Sequence, residues 1–213
     1  MRLLLTGFEP FAGDTRNPSA ELVAAIAAEP PPGLTLATAI LPVAFARLDA
    51  ALDAAIAAAA PDVVLSLGLA GGRCELAVER VAVNLDDARI PDNAGLQPLD
   101  RPVVEGGPAA YFATVPVKAM VAAMREAGAP AQLSHSAGTF ACNHVFYRAA
   151  HLAATARGGM RAGFIHVPNL PEQAAALRQA PSMALITMLA GLRAAIATLP
   201  ARTDRRLAEG ALA

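Results

Sequence analysis

Short apolar runs alternate with longer alanine-rich amphipathic segments along most of the chain, and few architectures accept that alternation. Strands are expected at Arg2–Leu5, Leu34–Leu41, Val63–Leu67, Glu75–Asn84, Gln132–Ser136 and Gly163–His166. Helices are expected from Asn17-Pro18-Ser19 to about Ala28, over Phe45–Ala60, from Thr114-Val115-Pro116 to Ala127, and over Cys142–Ala156 and Ser182–Leu199. Asn as a cap with Pro at the first helical position fits the first of these starts. Strands alternating with helices imply a mostly parallel sheet covered on both faces, an α/β fold, whose sites form beyond the carboxyl ends of the strands. The 213 residues suit one domain, residues 1–213, with a tail from about Ala201 expected to fray.

Leu85–Pro116 breaks the pattern. It is crowded with Asp, Asn, Gly and Pro, and reads as one long loop. Loops of that length in compact domains usually carry function.

Several functional classes drop out. The formal net charge is −1 and the arginines are scattered, so no basic stripe suggests nucleic acid. No run of about 18 uncharged apolar residues offers a membrane span. The opening MRLLLTGFEPFAG reads as a first strand and not a signal peptide, so the cytoplasm is the expected location. Cys74 and Cys142 are then expected to be free thiols. Two cysteines and four histidines lack CxxC or HxxxH spacing, so neither metal nor another cofactor is expected.

The chemistry centres on Cys142. In SAGTFACNH a strand ends near Ser136, Gly138 permits a tight turn, and a helix begins near Cys142. A thiol at a helix N-terminus faces unpaired N–H groups and the positive dipole end, which favour thiolate and could hold an oxyanion. The plain alternative is a buried cysteine acting as a small hydrophobe. Cys74, in GGRCELAV, lacks this setting.

A nucleophilic thiol needs a base and a group to orient it. His166 ends an apolar strand, where α/β sites form. His144 lies two residues beyond Cys142, about 200° around a helix axis. His135 falls in a strand and His151 on an exposed-looking helix. For the orienting acid, Glu79, Asp86, Asp87 and Asp92 remain open; Glu79 sits beside Arg80 in an apolar strand, a position that also suits a solvated edge. The turn GLAGGR, Gly68–Arg73, is neither GxGxxG nor a P-loop, so it is not read as a nucleotide site.

Taken together, the blocks LLLTGFEPFAG, GLAGGR with ERVAVNLDDARIPDNAG, SAGTFACNHVFY and GFIHVPNLPEQ resemble, in order, those of the type I pyroglutamyl peptidases. That resemblance implies a three-layer α/β/α sandwich around a twisted, mostly parallel mixed sheet, assembled as a homotetramer. It implies a triad with Cys142 as nucleophile, His166 as base and Glu79 as orienting acid. It places Phe8, Phe11, Asn17, Leu69, Arg89, Ile90, Phe140 and Ala141 at the substrate: Phe8 and Phe11 as aromatic pocket walls, Asn17 supporting their loop, and Arg89 near the oxyanion. Leu69 stands where many members have glutamine, and Ala141 where valine is usual.

The implied substrate is a peptide with N-terminal pyroglutamate, a neutral lactam without an ammonium group. Its pocket needs apolar walls and a donor and acceptor for the ring amide. Two other readings share the architecture: a nucleoside-phosphorylase-like enzyme, which needs a phosphate site, and a non-catalytic binding protein, which has no use for all three triad residues.

Overall fold

The computed structural model describes residues 1–177 and 180–210. Its six-stranded sheet is built from β1 (Arg2–Phe8), β2 (Thr35–Leu41), β3 (Val63–Leu69), β4 (Leu76–Glu79), β7 (Ala131–Ser134) and β8 (Arg161–Val167), in the order β2-β1-β3-β8-β4-β7. All neighbours are parallel except β4 and β8. A separate antiparallel pair joins β5 (Val81–Val83) to β6 (Ala110–Phe112).

Alternation along each strand divides the core into two layers. Leu3, Leu5, Leu65, Val78 and Ile165 point to one face and pack with α1 (Pro18–Ala28), α3 (Val117–Glu126) and α6 (Leu185–Thr198). Leu4, Val64, Ala162 and Phe164 point to the other, under α2 (Phe45–Ala59) and α4 (Ala141–Thr155). The fold is thus the expected α/β/α sandwich. No helix among the described residues is long and apolar enough to cross a membrane.

Local chemistry fixes the joints. Asn17 caps α1 by accepting from the Ser19 N–H, and its Nδ2 donates to the Glu9 carbonyl. Ser19 Oγ in turn accepts from the Phe8 N–H at 3.0 Å, tying the end of β1 to the start of α1. Gly7 permits this closeness, since a Cβ there would lie 2.8 Å from the Ser19 carbonyl oxygen. The first N–H of α2, on Phe45, donates to Asp92 Oδ2 at 2.7 Å, so a distant loop carboxylate caps that helix.

The structure departs from the sequence expectations in several places. The segment Glu75–Asn84 is not one strand. It breaks at Arg80, whose N–H donates to the Ser134 carbonyl and whose carbonyl accepts from Ala113. The break leaves Glu79 fully buried in the main sheet while Arg80 turns out over the Phe112 ring. The long loop holds β6 and folds back on itself through an Asp86–Arg101 bridge. A short helix, α5 (Pro171–Ala175), follows β8, and the last helix starts at Leu185, not Ser182. Side chains of the segment after Ala201 meet α3. Asp204 accepts from the N–H groups of Lys118 and Ala119 at the start of α3, and Glu209 pairs with Arg125.

Candidate active site

Cys142 occupies the second position of α4, whose N-cap is Phe140. No side chain among the described residues caps that helix, so its first-turn N–H groups face the site. Asn143 fixes the turn in place: its amide accepts from Val83 N and donates to the carbonyls of Val83 and Leu85. The sulfur rests against β3 at Gly68, where any Cβ would lie 2.6 Å from it. Gly68 is also the Cα partner of His166 across the β3–β8 pair. One glycine therefore lets the thiol reach the strand position beside the imidazole.

His166 is 5% exposed, and its Nδ1 lies 2.7 Å from Glu79 Oε1. The register of β4 against β8 makes this contact: Ala77 faces His166 and Glu79 faces Phe164, so acid and imidazole share one face of the sheet. Because an ionised carboxylate only accepts, Nδ1 donates in this contact. The Phe164 ring, 4.8 Å away, supports the imidazole. Glu79 Oε1 also meets Arg73 Nη1 at 3.3 Å, while Oε2 is buried without a partner among the described residues.

The helix terminus does not make the resting thiol acidic. Burial of the sulfur pushes the Cys142 thiol up to about 12, with the Glu79 charge acting in the same direction. The residue as a whole is only half-buried, since part of it opens onto a cavity. Desolvation at the sulfur is the larger cause, and it favours the protonated thiol at rest.

That cavity, about 160 Å³, is lined at its base by Phe8, Leu69, Ala141 and Cys142. Phe11 and Phe140 form one wall with ring centres 5.1 Å apart, and Phe45 backs Phe140 edge-on. Asn17 and Val43 complete the inner lining, and exposed Ala12, Asp14 and Arg16 the outer. The structure thus brings six of the eight expected substrate residues together with the nucleophile. Arg89 and Ile90 are exposed and lie outside this lining. Among the described residues no cluster of three His, Cys, Asp or Glu side chains could hold a metal ion.

The family model for pyroglutamyl peptidase matches residues 1–202. The chain belongs to that family. Among pyroglutamyl peptidase relatives, the pyrrolidone-carboxylate peptidase of Streptomyces coelicolor is 55% identical over 99% of this chain and 98% of its own. That of Erwinia tasmaniensis is 50% identical over the same shares. The crystal structure of pyroglutamyl peptidase I from Bacillus amyloliquefaciens superposes with a TM-score of 0.93 at 39% identity, covering 97% of this chain and 99% of that one. The pyrrolidone carboxyl peptidase of Thermococcus litoralis gives 0.89 at 37% identity, covering 93% of each chain.

Within this pyroglutamyl peptidase fold, several residues at the site carry no chemical signature in the sequence. Gly68 and Arg73 read only as parts of a glycine-rich turn, and Asn143 is an amide on a helix. His144 does turn away from Cys142, as its spacing predicts. It is buried between Asp86 at 2.8 Å and Asp49 at 3.1 Å, from the long loop and α2. Burial alone would lower its pKa, but the two carboxylates raise it to about 9. Asp86 therefore belongs to this pair and not to His166. Asp92 is spent on capping α2.

Proposed function

We propose that this protein is a cysteine peptidase that hydrolyses the N-terminal pyroglutamyl residue from peptides, with Cys142 as nucleophile, His166 as base and Glu79 as orienting acid. The observation that carries this reading is the 2.7 Å Glu79–His166 pair beside a thiol that opens into a small apolar pocket. Membership of a family whose relatives are named for this activity supports it.

The lactam ring enters the pocket against the wall that Phe11 and Phe140 form, beside Phe8 and Leu69. His166 Nε2 takes the Cys142 proton as sulfur attacks the pyroglutamyl carbonyl carbon, so that a neutral thiol becomes nucleophilic only during the reaction. The oxyanion forms toward the open N–H groups of α4. Imidazolium, held by Glu79, returns its proton to the departing amine, and the shortened peptide leaves. Water then attacks the thioester with His166 again as base. Pyroglutamic acid departs and the Cys142 thiol is restored. Leu69, Asn17 and Ala141 shape the base of the pocket, and Arg89 with Ile90 meets the substrate from the long loop.

A homotetramer and a cytoplasmic location belong to the same reading. Ile186 and Phe112, 72% and 69% exposed, offer apolar surface that assembly would cover, and the nucleophile requires reducing conditions. Sedimentation measures the first. A nucleoside phosphorylase gains no support: Arg73, the cation of the glycine-rich turn, is engaged with Glu79.

The test is hydrolysis of a pyroglutamyl anilide, with and without a thiol alkylator. Turnover that survives alkylation and Cys142→Ala would overturn the reading.

A further inference from the structure

Glu79 presents a physical problem that the triad alone does not solve. Its carboxylate is fully buried, Oε2 has no partner among the described residues, and both polar contacts fall on Oε1. A buried carboxylate whose sole partner is an imidazole is best satisfied by a positively charged imidazole. Such a resting imidazolium has no lone pair to take the thiol proton. A second, permanent positive charge removes the conflict, and Arg73 supplies one.

Arg73 ends the glycine-rich turn after β3. Its Nη1 lies 3.3 Å from Glu79 Oε1, and its side chain is 30% exposed. Among the described residues, Arg73 and His166 are the charged or titratable side chains paired with Glu79. β3 and β7 contain no charged residue, and Arg80 leaves over Phe112. On α4, His144 is engaged by Asp49 and Asp86 and Arg148 by Asp53. The Cys142 thiol lies within reach of the Glu79 charge.

We infer that Arg73 is a positioning residue for the reaction: its guanidinium balances the buried Glu79 charge, so that His166 rests neutral, with Nδ1–H donating to Glu79 and Nε2 free. Arg73 lies outside the pocket lining and acts through Glu79. The inference rests on the triad reading above.

The experiment compares wild type with Arg73→Gln, Arg73→Lys and, as a control, Arg80→Gln. Two readouts are used: the pH profile of kcat/KM with a pyroglutamyl anilide, and the NMR titration of labelled histidine assigned through His166→Gln. In Arg73→Gln the acidic limb should move about one pH unit upward. Activity below the limb then falls about tenfold and recovers on the alkaline side. The His166 titration should move with it. Arg73→Lys should restore most of the profile, and Arg80→Gln should leave it in place. An unmoved limb, a downward shift, or an equal loss at every pH overturns the inference. The NMR titration needs no turnover, so it judges Arg73 even if pyroglutamyl substrates are not cleaved.

Discussion

A Cβ at residue 68 and the sulfur of Cys142 would compete for the same space, 2.6 Å apart. Gly68→Ala should therefore push the thiol off β3. An expected kcat loss of about 10²-fold follows from displacing a reacting atom, with overpacking costing roughly 1–3 kcal/mol of stability. Steady-state kinetics and thermal unfolding measure both. An alanine enzyme with ordinary kcat would show that the sulfur works from elsewhere.

Glu79→Gln keeps the shape of the acid and removes its charge. The amide can present its NH2 to Nδ1 and favour the wrong tautomer, so kcat should drop about 10²-fold or more. A kcat equal to that of wild type would make Glu79 a structural partner of Arg73.

Phe8 and Phe11 divide the pocket unequally. Phe8 is 2% exposed and belongs to the core, so Phe8→Ala should cost roughly 3–5 kcal/mol of stability. Phe11 is partly exposed, so Phe11→Ala should raise KM for pyroglutamyl anilide with little change in melting temperature. Matched prolyl anilide should be cleaved at least ~10²-fold less efficiently, because the inner wall of Phe8, Phe11, Leu69, Phe140 and Ala141 offers no carboxylate to its charged ring nitrogen. Comparable kcat/KM for the two substrates would remove the lactam pocket from the account.

His144 gives a pH signature in stability. Its pKa is raised in the fold to about 9 from an ordinary 6.5. The stabilisation is therefore complete below 6.5 and is lost as pH rises through 9. The raised value corresponds to roughly 3 kcal/mol. The stability gap between wild type and His144→Gln should be widest at pH 6 and shrink by pH 10. A gap independent of pH would mean that His144 acts through packing alone.

Asp204→Ala removes the acceptor for two N–H groups of α3 and should cost about 1 kcal/mol. Its kcat should be unchanged. An unaltered melting temperature would mean that water caps the helix equally well.

The layers are legible in the sequence because short apolar runs and alanine-rich helices differ in length and period. Cys142 is legible because Gly138 and the helix that follows mark a turn into an N-terminus, and His166 because it closes an apolar strand. The acid is not singled out by spacing. Glu79–Arg80 reads as a possible solvated edge, since nothing local shows that the strand breaks between them or that β4 is flanked on both sides. The thiol's protonation state also escapes the sequence, because desolvation depends on what packs over the sulfur. Arg73, Gly68 and Asp204 act through partners six to 86 positions away. The glycine's role follows from close packing, which has no local signature.

The strand order has a consequence for synthesis. β8, the last strand to leave the ribosome, belongs in the middle of the sheet, between β3 and β4. Until residue 167 has emerged, β3 and β4 each present an unpaired edge to other chains. A nascent or truncated chain ending before β8 is thus primed for intermolecular pairing, and rapid refolding at high concentration invites aggregation. The same insertion carries His166 between Gly68 and Ala77. Closing the sheet and delivering the histidine are one event, so no half-built sheet can possess the base.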